Sequence, residues 1–130
     1  MPRTADDVET ILLGLNRQFE TQGDDLFLVS SGAERPLIAI RVEPPIVLVR
    51  VDIGAVPDAP AVQNTLFRKL LEFNGADLAH ASYALQGSEI VLQAGLELAN
   101  LDGNELAAVL ADIDLALGRH VQILREIARP

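Results

Sequence analysis

The residues best suited to acid–base or metal chemistry are two histidines, His80 and His120, and their placement supports neither. They fall on different predicted elements and match no ligand pair such as HExxH, in which two imidazoles one helical turn apart share an ion. His120 lies on the apolar stripe of the last predicted helix, where a partly buried, hydrogen-bonded imidazole is the expectation. Ser30, Ser31, Ser82 and Ser88 are the possible nucleophiles. None occupies a G-x-S-x-G elbow or is paired in sequence with a His and an Asp, so they read as turn and strand-surface hydroxyls. Asp6–Asp7 and Asp24–Asp25 are adjacent carboxylates, whereas acid–base catalysis needs two that face each other across a cleft. The first pair complements a helix dipole and the second is a solvated turn. Asp112 and Asp114 point apart on a helix. No alternating Asp/Asn run precedes a glycine as in a calcium loop. The 9 glycines make neither GxGxxG nor GxxxxGK[ST], so no phosphate cradle is present. There is no cysteine, hence no disulfide, thiolate nucleophile or thiolate metal site. No catalytic residue, metal ligand or cofactor is expected, and the chain reads as a non-enzyme.

The elements carrying these residues follow from hydrophobic spacing. Val8, Ile11, Leu12, Leu15 and Phe19 recur at three- and four-residue steps and predict a first helix, capped by Thr4 with Asp7 and ended by Gly23. Strands are predicted at Leu26–Ser30, at Leu37–Glu43 and, after Pro44–Pro45, at Ile46–Ile53. Short loops between them imply antiparallel hairpins. Pro60 suits the first turn of a second helix running to about Phe73, where Asn74–Gly75 gives a stop signal. Two more strands, Ala79–Gln86 and Ser88–Leu98, meet at Gly87. The last helix starts at Asp102, with Glu105 three residues on, and its stripe runs from Leu106 to Ile127. Its acids crowd the first half and Arg119, Arg125 and Arg129 the second, as the helix dipole favours. The expected fold is α+β: a single twisted antiparallel five-stranded sheet with three helices, in the order α-β-β-β-α-β-β-α. Residues 1–130 are read as one domain, without repeats or linkers.

Composition narrows the function classes. The formal charge of -9, from 10 basic and 19 acidic residues, repels phosphate backbones and anionic membrane surfaces, so neither nucleic acid nor membrane is an expected partner. No apolar run approaches a membrane span, and the acidic, polar start is no secretory signal. With no cysteine, a reducing cytoplasm fits.

Apolar side chains, by contrast, are in surplus. Val62, Leu66, Leu70 and Phe73 make one stripe on the second helix, and Phe67 and Leu71 widen it by roughly 100°. So wide an arc has two things to pack against, its own sheet and, on our reading, a second copy of the chain about a two-fold axis. The alternative is that neighbouring strands or loops cover Phe67 and Leu71. In the first strand Leu26 and Leu28 alternate with Phe27 and Val29, so both faces are apolar, and Leu13 lies off the stripe of the first helix. Either these are covered, or they form a groove for an extended segment of a partner polypeptide.

The stretch FRKLLEFNGADLAHASYALQGSEIVLQAGLEL (Phe67 to Leu98) has a Leu-rich helix ending in Asn–Gly, a strand, a tight turn and a strand of alternating leucines. With LDGNELAAVLADIDLAL (Leu101 to Leu117) and the overall order of elements, it resembles the type III secretion chaperones of the Tir-chaperone class and the related YbjN-like proteins. The resemblance implies a twisted antiparallel sheet, a homodimer and no catalysis. It would assign the dimer contact to Phe67, Leu70 and Leu71 and implicate Leu13, Phe27 and Val29 in holding an extended segment of a client protein. The alternative within the resemblance is a YbjN-like regulatory or scaffolding protein with no secretion client.

Overall fold

The computed structural model describes residues 4–129. The elements run α1 (Ala5–Gly14), β1 (Phe19–Gln22), β2 (Leu26–Val29), β3 (Ile38–Glu43), β4 (Ile46–Ala55), α2 (Pro60–Ala76), β5 (Ser82–Gln86), β6 (Glu89–Glu97) and α3 (Gly103–Leu115). A π turn, Ala116–His120, then leads into α4 (Val121–Ala128). The strands form a single sheet in the order β1-β2-β3-β4-β6-β5, antiparallel throughout.

Alternation decides which sheet face is covered. Ile38, Ile40 and Val42 on β3 and Val47, Val49 and Val51 on β4 are all buried, with Ile40 opposite Val49 and Val42 opposite Val47. Ile90, Leu92 and Ala94 of β6 continue the same layer. Against it lie Val8 and Leu12 of α1, Leu66 and Leu70 of α2, and Leu106, Val109, Leu110 and Ile113 of α3. At the β5–β6 hairpin Gly87 takes φ +60, a conformation glycine adopts without steric cost.

The start of the chain differs from the expected layout. α1 ends at Gly14 rather than near Gly23, and Phe19–Gln22 is a sixth strand. The turn at Asn16, whose φ of 57 lies in the left-handed region that Asn tolerates, stops the helix. Phe19 still reaches the core, but from a strand, edge-on to Phe27 with ring centroids 6.0 Å apart. Gly23, at φ +66, turns β1 into β2. The Thr4 cap is present, its N–H donating to Asp7 Oδ2 at 2.7 Å. Asp102 likewise caps α3, accepting from the Glu105 N–H at 2.8 Å. α2 continues through Asn74–Gly75 to Ala76, and β5 starts only at Ser82.

Candidate functional site

Among the predicted contact residues, five have surface to offer. Leu71 is 70% exposed, Leu13 is 62% exposed, and Val62, Phe67 and Leu26 are half-buried. Leu66 and Leu70 are buried in the core under α2. Phe27, only 2% exposed, and Val29 lie on the covered side of β2, because alternation turns them towards α1 and leaves Leu26 and Leu28 on the open side. They support a surface and do not form one.

The exposed part of α2 makes one wall of a groove of about 250 Å³, lined by Phe67, Leu70, Leu71 and Asn74 and, across from them, Tyr83, Ala84 and Leu85. Leu85, on edge strand β5, is 51% exposed. Asn74 sets the width of the groove. Its Oδ1 accepts from the Tyr83 N–H at 2.7 Å, and its Nδ2 donates to the Tyr83 carbonyl at 3.2 Å. The Tyr83 backbone therefore points away from β6, and by alternation so do the backbone groups of Leu85, at an edge that α2 leaves open.

Behind this groove the π turn delivers His120 into the core at 1% exposure. Its ring stacks on Phe73, centroids 3.6 Å apart and planes 5° off parallel. The Tyr83 hydroxyl is 2.9 Å from Nδ1, and Asp77 Oδ2 is 2.8 Å from Nε2. In the neutral ring these contacts fix the tautomer: Nε2–H donates to the carboxylate and Nδ1 accepts from the phenol. Burial, and then the nearby Asp77 charge, push the Tyr83 phenol well above its ordinary pKa, so it stays a donor. The order carboxylate–imidazole–hydroxyl is that of a nucleophilic triad. Here the hydroxyl is a neutral phenol held inside the fold, and the chain of bonds joins the end of α2, β5 and the π turn.

The two acids of α3 do similar work at different loops, as their divergent directions on the helix require. Asp112 Oδ2 accepts from the Ala79, His80 and Ala81 N–H groups, the outer two at 3.0 Å, and this bend replaces the expected start of β5. Asp114 takes the Arg17 guanidinium through both oxygens, at 2.6 and 3.2 Å, and the Ser31 hydroxyl at 2.6 Å. Sequence spacing gave no sign of these contacts, or of Asp77 and Tyr83, since each partner is more than thirty residues away. Among the described residues no three His, Cys, Asp or Glu side chains are grouped to hold a metal ion, and no helix is long and apolar enough to cross a membrane.

The other apolar surface is the open sheet face, with half-buried Leu26, Leu28 and Leu48 and exposed Ile46. At its β1 edge Gln18, Phe19, Glu20, Leu28, Ser30 and Leu37 line a second groove of about 290 Å³.

Comparison with known proteins gives this arrangement a context. No curated protein sequence matches the chain. A chain in the heterodimeric ExoU–SpcU complex of the type III secretion system of Pseudomonas aeruginosa superposes with a TM-score of 0.72 at 20% identity, over 92% of this chain and 98% of that one. YbjN of E. coli gives 0.61 at 14% identity, over 86% and 87%. The structure of the Yersinia pestis type III secretion chaperone SycH with a fragment of YscM2 gives 0.57 at 16%, over 87% and 98%. At these identities the likenesses speak for the fold. The family CesT_Tir_1, of type III secretion chaperones, matches residues 1–130, and the chain belongs to it.

Proposed function

We propose that this protein is a dimeric, non-catalytic binding protein of the cytoplasm that holds an apolar segment of a partner polypeptide. The observation that carries the reading is the groove between α2 and β5, where Leu71 and Leu85 stand exposed beside an open strand edge in a strongly acidic chain. A single copy leaves this surface wet, and a second copy laid against it about a two-fold axis would bury it. Phe67, Leu71 and Val62 then belong to the dimer contact, with Leu66 and Leu70 shaping it from beneath. Leu13 and Leu26 are left to meet the client, backed by Phe27 and Val29. Family membership supports a binding role, as do relatives whose structures contain a second polypeptide.

Sedimentation velocity tests the dimer: the natural chain should run as a dimer at micromolar concentration and Leu71→Glu as a monomer that still unfolds cooperatively. A monomeric natural chain refutes it. Leu26→Asp tests the client surface, because it should abolish recovery of a specific polypeptide from the native cell while the dimer persists. Phe27, being buried, cannot serve for that test.

A second reading, a regulatory or scaffolding protein without a secretion client, is favoured by the likeness to YbjN. It expects Leu26→Asp to leave partner binding unchanged.

A further inference from the structure

The open face of the sheet has a cation at its centre. Strand register places Leu28, Ala39, Arg50 and Gln93 in one row across β2, β3, β4 and β6. Leu48 and Asp52 flank Arg50 along β4, and Arg41 lies diagonally across on β3. The Nε–H of Arg50 is shut off from solvent and has no acceptor among the described residues. Neither Asp52 nor Glu20, the acids on this face nearest its row, forms an ion pair with it, whereas Arg41 lies 3.8 Å from Asp25. A guanidinium is charged at all accessible pH, and a buried donor without an acceptor destabilises the fold that contains it. An unbranched apolar side chain would cover the same strands without that penalty, so the free subunit gives no reason for arginine here.

We propose that this face docks an amphipathic helix of the partner polypeptide that carries a single carboxylate within its apolar stripe, and that Arg50 receives that carboxylate. The inference rests on the binding reading above and names the chemistry of the segment bound. A helix is the occupant because a sheet face, unlike an edge, offers no backbone groups; a strand laid across it would leave its own N–H and C=O groups unpaired, whereas a helix satisfies its own. The stripe is apolar because Leu28, Leu48 and the stem of Arg50 are what it meets. The carboxylate is single because Glu20 and Asp52 flank the site and the chain's net charge of -9 repels a polyacidic segment. Once the side chains that cover Nε part to admit it, a carboxylate taken side-on accepts from Nε–H and an Nη–H together. Six strands at ~4.8 Å spacing give a face that a helix of about 16 residues spans at 1.5 Å per residue.

The test uses the full chain and a pair of synthetic amphipathic helices of that length, identical except for one central stripe position occupied by Glu or Gln. Fluorescence anisotropy should show the Glu peptide binding about tenfold more tightly. The ¹⁵N resonance of Arg50 Nε, assigned by its loss in Arg50→Met, should move with the Glu peptide and stay in place with the Gln peptide. Arg50→Met should bind both peptides alike and melt no lower than the natural chain. Equal affinities with the natural chain overturn the proposal without calling on any variant, and leave the broader binding reading standing. Failure of both peptides to bind, or an unmoved Nε resonance, also overturns it. Conversion of the dimer to monomer by Arg50→Met would assign the face to a second copy and overturn it too. Failure of the broader reading shows separately, in the Leu71→Glu and Leu26→Asp experiments.

Discussion

The two faces of the sheet treat polar groups in opposite ways. On the helix-covered side the polar groups described above have partners: buried His120 uses both ring nitrogens, half-buried Asp112 collects three backbone N–H groups, and Asp114 binds an arginine and a serine. On the open side Arg50 buries a donor with no acceptor and Ile46 stands in water, while the outer surface of the helix layer exposes Leu13 and Leu71 and the edge strand β5 exposes Leu85. Interior polar groups that lack partners weaken a fold, and exposed leucines gain it nothing. The interior between sheet and helices is therefore organised for folding, and the open face with the exposed leucines of α1, α2 and β5 for association, and substitutions in the two regions should separate those properties.

The largest effect should come from His120→Ala. It removes the stack on Phe73, orphans the Tyr83 hydroxyl and leaves a ring-sized cavity, so about 3 kcal/mol of stability should be lost. Urea denaturation with an unchanged m-value measures this, and a loss below about 1 kcal/mol would mean that the π turn holds its place without the imidazole. Asp112→Ala follows at about 2 kcal/mol, since three N–H groups lose a charged acceptor in one step. Asp112→Asn should recover part of it, because an amide oxygen still accepts.

These interior bonds were the least legible part of the molecule. Periodicity located every helix and five of the six strands, because each buries a face whose spacing is written locally, as Val47, Val49 and Val51 show. The sixth strand was read as a continuation of α1, since Phe19 falls on the helical stripe and also packs well from a strand, and only the turn at Asn16 separates the two. His120 was legible as a buried, bonded histidine, but not its partners, because Asp77 and Tyr83 come to it through the tertiary fold. The surplus of apolar side chains on α2 was legible and Leu71 is exposed as that surplus implies. The interior position of Phe27 and Val29 was not, because a strand apolar on both faces does not say which face the helices cover.

The effect of pH sharpens the comparison further. Tyr83 is the chain's one tyrosine, and there is no tryptophan, so its ionisation can be followed directly in the near-ultraviolet. Burial, and next the Asp77 charge, raise its pKa in the fold above the ordinary value of 10. Above about pH 10 the unfolded chain releases the phenolic proton while the folded chain keeps it, so the unfolded state binds fewer protons and stability must fall as pH rises. The slope from this group approaches about 1.4 kcal/mol per pH unit, and its stabilisation is fully present below pH 10. Tyrosinate absorbance in the folded protein should therefore appear only together with unfolding. Tyr83→Phe should remove this slope at the expense of about 1 kcal/mol at neutral pH, where His120 Nδ1 loses its donor. A phenol that titrates near pH 10 while the far-ultraviolet circular dichroism stays native would place Tyr83 on the wet side of the groove.

The smallest effects on folding belong to the exposed leucines. Leu13→Gln and Leu85→Gln should each change stability by less than about 0.5 kcal/mol, since both side chains stay at least half exposed when the subunit folds. Their effects on association should differ. Leu85 lines the groove with Leu71, so its substitution should weaken the dimer, whereas Leu13, on α1 and outside that groove, should leave the dimer unchanged. Thermal melts give the first comparison and sedimentation the second. If Leu85→Gln lowers the melting temperature as much as Asp112→Ala at a concentration where the chain is monomeric, then Leu85 acts in folding, and the division between a folding interior and an associating surface fails at that residue.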